Sequence, residues 1–167
     1  MPVIDQGFEE TKYQIISRTL IFLFDSNNQV LLIKGADTKY RWPGKYNGIG
    51  GHIEGGEDIL EAGFRELQEE SGIKDVELSL IGQIMVQISD NAGIGIFILC
   101  GNYERSEFVS SKEGDLEWIK ISKLDKTTIV EDLPILLPRV ISHNPCDAMI
   151  IGKYSHDENG KLCMSFR

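Results

Sequence analysis

The chain has 167 residues, 41% of them hydrophobic and 26% charged, with a formal net charge of −9. That size fits a single domain over residues 1–167 with its own core, and that charge argues against a nucleic-acid polymer as partner, which calls for a basic patch. No apolar run approaches the roughly 20 residues needed to span a bilayer, and the start Met1-Pro2-Val3-Ile4-Asp5-Gln6 lacks the basic-then-apolar order of a signal peptide, so the expectation is a cytoplasmic protein with no membrane partner, monomeric or homodimeric.

Residues 13–24 (YQIISRTLIFLF) are rich in β-branched and aromatic side chains and predict a strand; a turn at Asp25-Ser26-Asn27-Asn28 leads to a second strand over 30–33. A loop punctuated by Gly35, Pro43, Gly44 and Gly48 fills 35–51, and a helix follows over 57–71, closed by Gly72 as a left-handed cap. Two strands, 76–89 and 94–102, are joined through Asp90-Asn91-Ala92-Gly93. A short strand over 116–121 precedes a helix over 133–142, with Asp132 placed to cap it and Pro134 in its first turn. Residues 148–154 and 161–166 bracket Asp157-Glu158-Asn159-Gly160 as a closing hairpin. These elements predict an α/β fold, a mixed sheet with helices against it. Cys100, Cys146 and Cys163 are widely spaced and outside any metal-binding pattern, so buried free thiols are expected.

The 57–71 helix carries the chemistry. At 100° per residue, Leu60, Phe64 and Leu67 form one stripe expected to face the core, while Glu66, Glu69 and Glu70 fall within an arc of about 100° elsewhere. Like charges three and four apart destabilise a helix by roughly 0.2–0.5 kcal/mol per pair. A solvated face commonly relieves such repulsion with lysines, and none occurs from Glu57 to Ile73. A solvated face and a divalent-cation site are the two readings. Magnesium would suit the second, since it takes oxygen ligands and leaves coordination sites for phosphate oxygens, which also lets an acidic protein hold an anionic nucleotide; the cluster by itself leaves both readings open.

Spacing separates the two. Gly51, five residues, Glu57, seven residues, Arg65-Glu66-Leu67, one residue, Glu69-Glu70, one residue, Gly72-Ile73 resembles the signature of the Nudix hydrolase family at every defined position. At a frequency of roughly one in fifteen for each of its single-residue positions, chance gives about 10⁻⁸ per starting point. The resemblance implies a Nudix-type α/β/α sandwich, hydrolysis of a nucleoside diphosphate linked to a further group, and Mg2+ or Mn2+ as cofactor. It further implies Glu66, Glu69, Glu70 and the Gly51 carbonyl as metal ligands, and Arg65, supported by Glu57, as the residue that orients the glutamates. Metal ions neutralise the phosphoryl charge and acidify the attacking water; Glu66 and Glu113 are the candidates for the group that takes its proton.

The preceding loop, KYRWPGKYNGIGGHIEGGE, resembles the MutT-type branch of that family, which hydrolyses oxidised purine nucleoside triphosphates such as 8-oxo-dGTP. The likeness is strongest over 41–73; Ile49 replaces an aromatic residue of the branch, and Glu131-Asp132 replaces two adjacent aspartates. Asn47 and Asp132 are thus candidates for contacting a purine edge, Trp42 and Tyr46 for stacking, and Lys34, Lys39 and Lys45 for the phosphates. Each has a plainer reading: Asn47 as a turn residue, Asp132 as a helix cap, the aromatics as cover for the sheet, the lysines as surface charge. The expected partner is a small nucleotide and the expected reaction converts a purine nucleoside triphosphate to monophosphate and pyrophosphate, with another nucleoside diphosphate derivative such as ADP-ribose, or a non-catalytic nucleotide-binding module, as the alternatives.

Overall fold

A computed structural model describes residues 12–36, 42–105 and 107–167. Apolar alternation along β1 (Gln14–Phe24) dictates the architecture: Leu20 and Phe22 point to one face, Ile21 and Leu23 to the other, and all four are buried. A strand apolar on both faces must be covered twice. The cover comes from α1 (Ile59–Ser71) on one side and α2 (Leu133–Ser142) on the other. The result is the predicted α/β/α sandwich. Burying a side chain such as Phe22 contributes about 1.5–3 kcal/mol.

The other strands are β2 (Gln29–Gly35), β3 (Tyr46–Asn47), β4 (Ser79–Gln87), β5 (Ala92–Asn102), β6 (Gly114–Lys120), β7 (Ile150–His156) and β8 (Leu162–Phe166). The sheet runs β3-β2-β1-β5-β4-β7-β8, with β6 on the other side of β2. It is mixed: β1/β5 and β4/β7 are parallel and the remaining pairs antiparallel.

One irregularity positions the site. β1 and β2 pair only at Leu23–Leu31 and Phe24–Val30, then diverge. The chain after β3 enters the gap: Ile21 and Ile49 exchange backbone hydrogen bonds at 2.7 and 3.2 Å, Thr19 N–H donates to the Gly51 carbonyl at 2.9 Å, and Ile53 N–H to the Ser17 carbonyl at 3.0 Å. Residues 49–53 are thereby held along β1.

The structure corrects several expectations. α1 starts at Ile59, two residues later than predicted, because Asp58 closes a capping box in which its carboxylate accepts from Leu60 and Glu61 N–H while Glu61 accepts from Asp58 N–H. The expected core stripe fails at two of its three positions: Leu60 and Phe64 are 39% and 38% exposed. The buried face is instead Ala62, Gly63, Leu67, Glu70 and Ser71. Small residues there let the helix lie close to the sheet, and a Cβ on Gly63 would fall on the Leu99 side chain. Asp132 precedes α2 but in helical conformation and without a side-chain cap hydrogen bond, so the capping reading is set aside. Cys146 and Cys163 are exposed and Cys100 half-buried, all three free; none is the fully buried thiol expected.

Candidate active site

Loop 51–58 and α1 form one unit, locked by Arg65. Its guanidinium forks onto Glu57 (Nε to Oε1 2.6 Å, Nη2 to Oε2 2.9 Å), donates to the His52 carbonyl at 2.8 Å, and reaches Glu66 Oε1 at 2.8 Å and Glu69 Oε2 at 3.4 Å through Nη1. Bidentate pairing of this kind fixes geometry as well as adding energy. The hydrogen bonds from Arg65 pull the Glu57 carboxyl down to about 2, and Glu57 with Glu66 pushes the guanidinium still further from deprotonation. Gly51 has a steric reason to be glycine, since a Cβ there would fall on the Glu66 carboxylate.

Glu66, Glu69, Glu70 and Glu113 line one cavity of about 540 Å³ together with Gly51. Glu70 is buried and accepts from Gly50 N–H at 3.3 Å, whereas Glu69 stands largely in solvent. This donor set is all oxygen, which suits a hard divalent cation. Among the described residues no three His, Cys, Asp or Glu side chains close on a single metal-binding point; the guanidinium of Arg65 draws Glu66 and Glu69 toward itself. Coordination would require side-chain rotation, which an exposed Glu69 permits.

A second cavity of about 640 Å³ lies beyond Gly50 and Gly51. Its apolar lining comes from Leu20, Val86, Ile94 and Ile96; its polar lining includes Thr19, Asn47, Asp132 and Tyr154. Thr19 Oγ1 and Tyr154 Oη are buried without a hydrogen-bond partner. Such groups are costly unless a ligand or water satisfies them. Burial pushes the Asp132 carboxyl up, and burial followed by the charge of Asp132 pushes the Tyr154 hydroxyl up as well. The two residues interact electrostatically without closing a bond of good geometry. A smaller space of about 300 Å³, lined by Arg18, Trp42, Lys45, Asn47, His52, Glu70 and Glu113 among others, joins the two cavities.

The predicted residues therefore separate into groups. Gly51, Glu66, Glu69, Glu70 and Glu113 meet at the carboxylate cavity, with Arg65 behind them. Asn47, Trp42 and Asp132 line the apolar cavity. Asn47 also serves the backbone, its Oδ1 accepting from Gly48 N–H at 2.9 Å. Tyr46 and Lys34 line neither cavity: the Lys34 ammonium lies 5.8 Å from the Tyr46 ring centroid, and burial and Glu117 raise the Tyr46 hydroxyl to about 12. Period-two alternation explains this, for the register pair Ile33 and Asn47 lines the joining space, while the adjacent pair, Lys34 and Tyr46, faces away. Lys39 and Arg41 lie outside the described residues. Ile49, the departure from the MutT-type loop, is fully buried in the core under α1, so the change touches packing rather than the cavities. Sequence reasoning missed Arg18, Thr19, His52 and Tyr154. Arg18 had a signal, a lone charge inside the apolar run IISRTLIFLF; Tyr154 had none.

Comparison with known proteins bears on this site. A model of the NUDIX domain matches residues 15–140. An oxidized purine nucleoside triphosphate hydrolase from Danio rerio is 35% identical over 82 residues, 48% of this chain and 53% of that protein. The m7GpppN-mRNA hydrolase NUDT17 from Xenopus laevis is 43% identical over 58 residues, 34% of this chain and 20% of that one. The chain thus spans about half or less of these curated relatives. Among solved structures, the MutT protein from Bacillus halodurans superposes with a TM-score of 0.74 at 25% identity, covering 91% of this chain and 96% of its own. The NUDIX domain of Shewanella oneidensis NrtR, solved with ADP ribose, shares the fold with a TM-score of 0.69 at 12% identity, covering 83% of this chain and 94% of its own.

Proposed function

Because the chain belongs to the Nudix family, we propose that it is a pyrophosphohydrolase that uses Mg2+, or Mn2+ in its place, to convert a purine nucleoside triphosphate, an oxidised purine such as 8-oxo-dGTP among the candidates, to monophosphate and pyrophosphate. One observation carries this reading: a cavity lined by four carboxylates adjoins, across a smaller space that shares lining residues with both, an apolar slot that holds buried polar atoms without partners. The first end suits a cation-bridged polyphosphate, the second a flat base with polar edges. The similarity to the Danio rerio hydrolase points the same way.

In this reading Glu66, Glu69, Glu70 and the Gly51 carbonyl hold the cation, and Arg65 orients the glutamates. A bound divalent ion supplies charge neutralisation at the phosphoryl oxygens and a more acidic water. Water oxygen bonds to phosphorus as the α–β anhydride bond breaks, and Glu113 or Glu66 takes the water's proton. At the other end, Asn47 keeps Oδ1 on Gly48 and offers its amide N–H groups to the base. Asp132, raised by burial, can donate as well as accept when protonated. Leu20, Ile94 and Ile96 exclude water from the ring faces.

A substrate panel with magnesium tests the reading: kcat/KM for dGTP, 8-oxo-dGTP, other triphosphates, ADP-ribose and capped RNA. A purine triphosphate leading the panel is expected. ADP-ribose or capped RNA leading by a wide margin would overturn it.

A further inference from the structure

We propose that Arg18, steadied by His52, grips the nucleotide at the join between its sugar and its phosphates, so that Arg18 is a binding residue and His52 a positioning residue. The inference rests on the nucleotide reading above and adds the group that holds the middle of the substrate.

Placement comes first. Arg18 and His52 face each other across an isolated antiparallel bridge, flanked by the hydrogen bonds from Thr19 N–H to the Gly51 carbonyl and from Ile53 N–H to the Ser17 carbonyl. Both side chains are therefore set by backbone pairing. Arg18 lines the apolar cavity and the joining space; His52 lines the joining space and the carboxylate cavity. An Nη2–Nε2 hydrogen bond of 3.0 Å joins them. Since a guanidinium only donates, Nε2 must be the acceptor and the ring proton sits on Nδ1. The pair forms one polar span from the base end of the site to the metal end.

Charge comes second. Among the described residues lining the apolar cavity, Arg18 is the only lysine or arginine, beside Glu131 and Asp132. Arg65, behind the carboxylate cavity, is engaged by Glu57, Glu66 and Glu69, and Lys112 lines that cavity itself. Lys45 lines the joining space as well, but among the described lysines and arginines Arg18 alone lines both that space and the apolar cavity, where the phosphates would meet the sugar. The planar fork of Arg18 has five N–H donors, and a bond to His52 commits one of them. Arginine can thus hold His52 and a phosphate oxygen together in fixed geometry, which a lysine point charge cannot.

The alternative is that the pair only pins the loop to β1, and the two roles separate by measurement. For Arg18→Ala, KM for the best triphosphate should rise about 10- to 100-fold with kcat little changed, the loss of one charge-assisted hydrogen bond. Calorimetry should find nucleoside monophosphate binding weakened to a similar extent, and binding of the matching nucleoside nearly unchanged. His52→Ala should cost less and add little in the Arg18→Ala background, because it acts through Arg18; His52→Gln, which restores an acceptor, should recover part of the loss. Should Arg18→Ala fail to fold, Arg18→Lys gives the same readouts with the charge kept and the fork removed. Unchanged KM and monophosphate affinity in a folded variant, or equal losses for nucleoside and monophosphate, would overturn the proposal. A wild-type protein that turns over no triphosphate defeats the parent reading and this one with it; an active wild type indifferent to Arg18 defeats this inference alone.

Discussion

The two helices on either face of the sheet are specified in opposite ways. α1 carries its own instructions: a capping box at Asp58 and Glu61, a left-handed Gly72 whose N–H returns to the Gln68 carbonyl, and an Arg65 fork that ties it to the preceding loop. α2 has no side-chain cap, contains Pro134 and Pro138, and is held by Leu133, Leu136, Leu137 and Val140 in the core. A helix that carries three carboxylates toward one cavity has its rotation and ends fixed locally. A helix that must only cover a sheet can leave both to packing, and its first turn is then available for another use. Asp132, relieved of capping, lines the apolar cavity. The carboxylate end of the site is thus built mainly from the one stretch 50–70, with Glu113 added from the loop before β6, and the apolar end from β1, β3, β4, β5, β7, β8 and the start of α2.

The sharpest way to break that comparison is to remove one carboxylate. Glu69→Gln should lower kcat by about 10³-fold, because several kcal/mol of charge stabilisation passes through the bound cation. The side chain is 62% exposed, so the melting temperature should hardly move. Activity within a few-fold of wild type would remove Glu69 from the ligand set. The apolar end should respond differently. Asn47→Ala should raise KM about tenfold for the preferred base and much less for the others, the cost of one lost polar contact. Equal losses for every base would assign Asn47 to its Gly48 hydrogen bond instead.

The same asymmetry governed what could be read before folding. Helical periodicity put Glu66, Glu69 and Glu70 on one side of α1, because a helix converts sequence offsets directly into geometry, and the resemblance to the Nudix signature added Glu57 and Arg65, which the structure joins by a two-point fork. Periodicity misjudged which face α1 buries: Leu60 and Phe64 are the larger apolar side chains, yet close approach to Leu99 selects Ala62 and Gly63. Nothing local announces that β1 and β2 diverge after two residue pairs, and that divergence is what admits residues 49–53 and brings His52 to Arg18. Tyr154 reaches the apolar cavity only because β7 runs parallel beside β4, a long-range pairing with no signature in the chain.

Acid titration offers the smallest effect and the most direct contrast between the two ends. Glu57 is lowered from 4.5 to about 2 by its hydrogen bonds with Arg65. A depressed carboxyl adds stability above its unfolded value and loses it as pH falls through the folded one; the Tm advantage of wild type over Glu57→Gln should therefore be full above pH 4.5 and shrink toward pH 2. Asp132 is raised from 3.8 by burial, so the sign reverses: its protonated form is favoured below that value, and the benefit disappears as pH rises through the folded value. At neutral pH the half-buried charge is a cost, and Asp132→Asn should raise Tm. The gain should vanish as pH is brought to 3.8. Melting curves of both variants across pH would give opposite slopes; parallel slopes would mean that the two ends do not differ in how they hold their carboxylates.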